Sequence, residues 1–231
     1  MEEKLKLHFG EWYEILKDYL HSPEFLQIGA KVKRLRESGV EVLPEGELVF
    51  RAFREAPFND VKLCIIAMDP YPQSKVGDGL AFSCSRSLYP QSSLKNILIE
   101  IEQEYPQSYF DITHWRLDQI DLQRWAKQGI LLLNAALTVE VDKSGSHREI
   151  WEPFTKKIIE TLNSKEYIVY LLLGKNAQYF EKYISTKHGV ISAPHPAAES
   201  YNRGKAGFFG SNCFKEVNEL LKFNNLEEII W

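Results

Sequence analysis

The rhythm of apolar positions changes near residue 60. Before that point, Trp12, Ile15, Leu16 and Tyr19 recur at three- and four-residue spacing, which predicts an amphipathic helix over about residues 9–20. His21-Ser22-Pro23 interrupts the pattern, and a second helix is expected from Pro23 to about Ser38, ending near Gly39. A third, short helix is expected from Leu48 to about Glu55, stopping before Pro57.

Beyond residue 60 the apolar residues come in short unbroken runs rich in β-branched side chains: 61–67, 129–133, 167–173 and, more weakly, 189–193. They lack the alternation of a half-exposed strand and predict strands buried on both faces. Helical stretches lie between them at Ser92–Glu104, Trp151–Leu162 and Asn176–Ile184. Strand and helix in alternation imply a parallel sheet covered by helices. The expected fold is α/β: a single three-layer domain with a central four-stranded parallel sheet flanked by helices. It would span residues 1–231, with a helical part at 1–58 and the α/β core at 59–231.

Composition narrows the function classes. The 231 residues are 44% hydrophobic and 26% charged, which is ordinary for a globular chain and argues against a disordered or fibrous one. Lys and Arg number 28 against 32 Asp and Glu, a net charge of −4, so this is not a strongly basic nucleic-acid coat. Cys64, Cys84 and Cys213 form no C-x-x-C pair, so no metal site is expected, and their odd number suits a reducing compartment. With no signal core and no apolar run approaching the ~18 residues of a membrane span, an intracellular, cytoplasmic protein without membrane contact is expected.

Candidate chemistry sits at the strand ends. In an open parallel sheet the binding crevice lies beyond the carboxyl ends of the strands. The four runs lead into Asp69-Pro70-Tyr71-Pro72, Asn134, Gly174-Lys175-Asn176 and His195-Pro196. A carboxylate, an amide, a basic loop and an imidazole should therefore meet on one rim. Any one of them could instead cap a helix or end a strand. The other histidines, His8, His21, His114, His147 and His188, lack such a context and read as structural or solvated.

The ordered segments Asp69-Pro70-Tyr71, Gly79-Leu80-Ala81-Phe82-Ser83, Ser93-Leu94-Lys95-Asn96-Ile97 and 125–139 resemble the uracil-DNA glycosylase family. The resemblance continues through Trp151-Glu152-Pro153-Phe154-Thr155, Leu173-Gly174, His195-Pro196 and Gly207-Phe208-Phe209-Gly210, covering roughly residues 40–220. It implies removal of uracil from DNA, single- or double-stranded, by hydrolysis of the N-glycosidic bond, leaving an abasic site. The base must leave the stack before its bond can be reached. By resemblance, Asp69 orients the attacking water and steadies a cationic sugar, while His195 donates to uracil O2 as charge builds there. Asn134 reads the Watson–Crick edge, Phe82 stacks on the base, Tyr71 excludes the thymine methyl, and Met68 borders the pocket. DNA contacts are implied for Ser93, Gly174, Lys175, Ala197, Glu199, Ser200, Tyr201, Arg203 and Lys205. The resemblance implies no cofactor, a monomer, and a proteinaceous DNA-mimic inhibitor as a further partner.

The match breaks at informative places. Ala67-Met68 stands for the family's Gly-Gln, and Pro72 for a histidine. The family's H-P-S-P-L-S is His195-Pro196-Ala197-Ala198-Glu199-Ser200 here, in a segment about three residues longer than the family pattern. Glu199 thus stands where the family carries a leucine wedge. A phosphate-repelled carboxylate is a poor wedge, and Tyr201 is expected to take that role. Two other readings stay open: a same-fold glycosylase retuned for another modified pyrimidine, and a non-catalytic DNA-binding relative. A plain nucleotide-binding domain is weaker, because no glycine-rich phosphate motif follows the first strand.

Overall fold

The computed structural model describes residues 2–106, 117–201 and 207–231. The N-terminal part contributes α1 (Glu2–Phe9), α2 (Trp12–Leu20), α3 (Pro23–Glu37), a two-residue strand β1 (Val42–Leu43) and α4 (Arg51–Glu55). The central part runs β2 (Leu63–Ala67), α5 (Ser92–Glu104), α6 (Leu117–Ile120), α7 (Gln123–Ala126), β3 (Ile130–Asn134), β4 (Val139–Glu140) and α8 (Arg148–Leu162). It continues with β5 (Val169–Leu173), α9 (Lys175–Gln178), β6 (Gly189–Ala193), α10 (Ala197–Tyr201) and α11 (Cys213–Phe223).

Four strands form a parallel sheet in the order β3-β2-β5-β6, as the apolar runs predict. Every residue of β2, β3 and β5 is buried. The edge strand β6 is partly open, with Ser192 exposed, which is why its apolar signal is the weakest. From β2 the chain moves outward to β3, then returns to the other side of β2 for β5 and β6. The reversal makes the carboxyl ends of β2 and β5 a switch point, where ligand crevices form.

Three helix predictions need correction. The helix expected over 9–20 begins at Trp12, and a separate helix, Glu2–Phe9, precedes it. Gly10 lies between them at φ +52°, a left-handed conformation that ends one helix before the next starts. The helix expected from Leu48 begins only at Arg51. The stretch 176–184 is a single α turn followed by a 3-10 turn at Glu181–Tyr183. There the Phe180 and Tyr183 N–H groups reach back only three residues, to Ala177 and Phe180, and Phe180 is buried.

Aromatic rings join the N-terminal helices to the sheet layer. Phe9, Phe25, Phe50 and Phe53 all pack within 6.3 Å of Phe154 on α8, measured between ring centres. The fully buried Trp12 indole donates to the Ala56 carbonyl at 2.8 Å. Each such large apolar side chain contributes about 1.5–3 kcal/mol by leaving water. Among the described residues, no helix is long and apolar enough to cross a membrane.

Two buried polar clusters shape the rim. Asp78 accepts from the Ser83 hydroxyl at 2.6 Å and from the Leu80 and Ser85 N–H groups, and Arg51 Nη1 lies 3.1 Å from its Oδ2. Arg51 also meets Asp121 and Glu55. This cluster fixes the loop carrying Phe82. In the second, Glu100 accepts from the Gly210 and Asn212 N–H groups, and Glu104 from those of Phe214 and Lys215 at the start of α11. Burial, ahead of its neighbours' influence, pushes the Glu104 carboxyl up to about 7. Removing one partner of a buried ion pair strands the other charge. Arg51→Ala should therefore cost about 3–5 kcal/mol in urea unfolding. A loss below about 1 kcal/mol, the value of an exposed pair, would mean that Asp78 does not depend on Arg51.

Candidate active site

Asp69 and Tyr71 leave the end of β2, and His195 leaves the end of β6. Together with Met68, Phe82 and Ser93 they line a cavity of about 370 Å³, a size suited to a small ligand. The ladder continues past β2: the Ala135 and Ala136 N–H groups donate to the Ala67 and Met68 carbonyls, both at 2.9 Å. Met68 is thereby fixed by its backbone, and the Asn176 amide is directed at its sulfur.

Phe82 is buried and holds φ at +64°, a left-handed conformation costing a non-glycine residue about 1–3 kcal/mol. Its surroundings enforce that conformation. Gly79, at φ +95°, passes so close to Leu48 that any Cβ would lie 2.0 Å from the Leu48 oxygen. The Tyr71 hydroxyl donates to the Phe82 carbonyl at 3.0 Å. Burial, as the first cause, pushes the Tyr71 phenol well up, so it stays a neutral donor. The Phe82 and His195 ring centres are 6.0 Å apart.

His195 is set in one protonation state. Its Nδ1 accepts from the Ala197 N–H at 3.2 Å, so Nδ1 carries no proton and Nε2 is the donor. Burial pushes its pKa down, which keeps the ring neutral near pH 7. Gly174 makes room for it. At φ +90°, a Cβ on this residue would sit 2.7 Å from the His195 Cβ. Gly174, expected in a DNA-gripping loop, therefore backs the imidazole, and the exposed Lys175 follows it.

Asn134 ends β3 in register with Ala67 and is 3% exposed. It lies beside the cavity without lining it. Its buried Oδ1 has no hydrogen-bond partner. Leaving a polar atom so costs about 1–3 kcal/mol, so the acceptor awaits a donor. Asp69 is half-buried and accepts from the Ser144 hydroxyl and from the Gly145 N–H. Burial, the larger influence, raises its pKa, and these two donors lower it. Ser144 and Gly145 were not among the expected residues. Their one sequence signal is a Ser-Gly turn, which does not identify its long-range partner.

The expectation for Glu199 is corrected. It is 3% exposed, and its Oε1 accepts from the Phe208 and Phe209 N–H groups at 2.5 and 3.1 Å. Its carboxylate is buried against backbone donors of its own chain and is not presented as an exposed contact or wedge. Ser200 keeps an exposed position, with its hydroxyl 3.1 Å from Asn96 Nδ2, and Asn96 also holds the Pro196 carbonyl. Ser93 is buried against the cavity, and Ala197 starts α10. The Tyr201 side chain, Arg203, Lys205 and His114 lie outside the described residues. His147 is buried against Thr138 and His188 against Ile168, both structural positions.

Fold and site together define an α/β protein with a cavity at a sheet switch point, lined by a carboxylate and a neutral imidazole. The chain belongs to the uracil DNA glycosylase superfamily, whose family profile matches residues 53–222. It is 38% identical over 223 residues to the uracil-DNA glycosylase of Actinobacillus succinogenes, covering 95% of this chain and 96% of that one. It is also 38% identical to the uracil-DNA glycosylase of Streptococcus uberis, over 97% and 99% of the two chains. Among solved structures it resembles mimivirus uracil-DNA glycosylase at a TM-score of 0.86 and 25% identity, over 98% of this chain and 88% of that one. A point variant of the mimivirus protein in complex with UGI gives the same TM-score at 26% identity, over 98% and 90%.

NMR of ring-15N-labelled protein should find the His195 proton on Nε2, with titration below the ordinary histidine range. Gly174→Ala should move the His195 ring signals while the protein stays folded. Unmoved signals would mean the ring is positioned by other contacts.

Proposed function

We propose that the protein is a monofunctional uracil-DNA glycosylase acting in DNA repair, which flips uracil out of DNA, hydrolyses its N-glycosidic bond and leaves an abasic site. The observation carrying this reading is the buried, unpartnered Asn134 Oδ1. Uracil offers an N3–H donor there and an O4 acceptor for the amide NH₂, whereas cytosine offers the reverse pattern and leaves both groups unpaired.

The steps follow from the same residues. Phe82, fixed in its strained conformation, stacks on the extruded base. Tyr71 fills the space at C5 that a thymine methyl would need. As the bond from C1′ to N1 breaks, its electron pair goes to the base, and the His195 Nε2–H stabilises the charge at O2. Asp69 orients the water whose oxygen bonds to C1′, the proton that this water sheds ends on the departing uracil anion, and the carboxylate charge favours the cationic sugar. No step needs a metal or cofactor.

Backbone grip is assigned to Ser93, Lys175, Ser200, Arg203 and Lys205, with Tyr201 as the wedge. The net charge of −4 permits this, because phosphates need only local positive potential. The mimivirus relative in complex with UGI supports a proteinaceous inhibitor as a further partner. The reading includes a monomeric, cytoplasmic protein with one domain over residues 1–231.

A uracil-containing duplex incubated with the protein should break on heating in alkali, and a thymine duplex should not. Asp69→Asn and His195→Ala should each lower kcat by about 10²–10³. A uracil duplex left intact under conditions that cleave another modified pyrimidine would replace this reading with a retuned glycosylase. Tyr71→Ala should admit thymine, and Tyr201→Ala should weaken duplex activity more than single-strand activity. Equal effects on both strand types would remove Tyr201 from the wedge role.

A further inference from the structure

The loop after β4 is built around the carboxylate of Asp69. The Ser146 N–H closes on the Lys143 carbonyl at 3.1 Å, and Gly145 between them holds φ at +81°. Those are features of a type II turn, whose third position favours glycine. The turn is braced on three sides. The Glu140 N–H donates to the Ser146 hydroxyl at 2.9 Å, and the Arg148 N–H to the Gly145 carbonyl at 3.2 Å. The Asp142 N–H donates to the Pro72 carbonyl at 3.0 Å, which ties the loop to the segment bearing Asp69.

At the tip, the Ser144 hydroxyl lies 3.2 and 3.1 Å from the two Asp69 oxygens and shares its proton between them. The Gly145 N–H donates to Oδ2. A carboxylate offers about four lone-pair sites. These donors occupy the side toward the loop, and Asp69 and Ser144 both face the cavity. We propose that the Ser144 hydroxyl and the Gly145 N–H form a clip that fixes Asp69 in one rotamer, leaving its free lone pairs for the attacking water. This assignment of Ser144 as a positioning residue rests on the glycosylase reading above.

The electrostatics point the same way. Burial disfavours the charged carboxylate, while the Gly145 and Ser144 donors favour it. The charged groups of neighbouring loops are engaged or exposed to solvent. Lys143 is held by Glu140 at 2.6 Å, Lys75 and Lys175 are exposed, and Asp142 is exposed. His195, from β6, is depressed by its own burial. The Ser144 hydroxyl is thus the part of this local support for ionisation that a single substitution can remove, the Gly145 N–H staying in place, and Ser144 is exposed enough to change without loss of fold.

The test uses Ser144→Ala and Ser144→Thr on a uracil-containing oligonucleotide across pH. A donor to the charged form lowers a carboxyl pKa, so its removal should move the acidic limb of kcat to higher pH. Ser144→Ala should lower kcat about tenfold, with KM changed by less than about twofold. Threonine, which keeps the hydroxyl, should restore both. An unmoved acidic limb, or a loss that threonine does not rescue, would overturn the proposal. Carboxyl-carbon NMR of Asp69 reads the same clip without turnover. If the wild type releases no uracil but the Asp69 titration still rises in Ser144→Ala, the clip stands and the glycosylase reading fails. If uracil is released and the titration does not move, the clip fails alone.

Discussion

Parallel pairing of β2 with both β3 and β5 is the constraint on which the site depends. The register sets Ala67 beside Asn134 and Ile66 beside Leu172, so three strands end on one line. Backbone hydrogen bonds then carry the ladder past the strands, through Ala135, Ala136 and Gly174, whose N–H meets the Ala193 carbonyl. A shift of one residue would exchange the faces of every side chain along a strand. With β2, β3 and β5 buried on both sides, such a slip has no good alternative packing, and the rim inherits the rigidity of the core.

On that rim, each polar group is given one role by what it lacks. Asn134 lacks a partner for its carbonyl oxygen, His195 lacks a proton on Nδ1, and Asp69 has donors from one side only. All three sit out of full contact with water, where an unmatched donor or acceptor matters more than it would in solvent. On the proposed reading, recognition of the base and stabilisation of the leaving charge are therefore prepared before DNA arrives. The strain of Phe82 belongs to the same preparation, sustained by Gly79, Tyr71 and the Asp78 cluster.

Much of this was legible in the chain, for definable reasons. Strands buried on both faces announce themselves as unbroken apolar runs, and residues at their ends are placed by the topology alone. Asp69, Tyr71 and His195 thus fall on one rim by strand order alone. The half-open β6 was fainter, and the break at Gly10 was missed because one glycine inside a helical pattern does not reveal its φ. Residues acting through distant partners were not legible. Ser144 meets Asp69 across 75 positions, and Arg51 meets Asp121 across 70. Glu199 was misplaced because a carboxylate where a leucine is expected looks exposed, until the Phe208 and Phe209 N–H groups that need it are seen.

That inward turn of Glu199 is not alone. Glu199, Glu100 and Glu104 bind the backbone on the far side of residues 202–206, from Phe208 to Lys215, while Asn96 holds Pro196 and Ser200 on the near side. The described residues on either side are each held by buried side chains. The contacts that hold Pro196 and Ser200, next to His195, thus come from α5 and not from the residues that follow, so a change of length beyond Tyr201 would leave them intact.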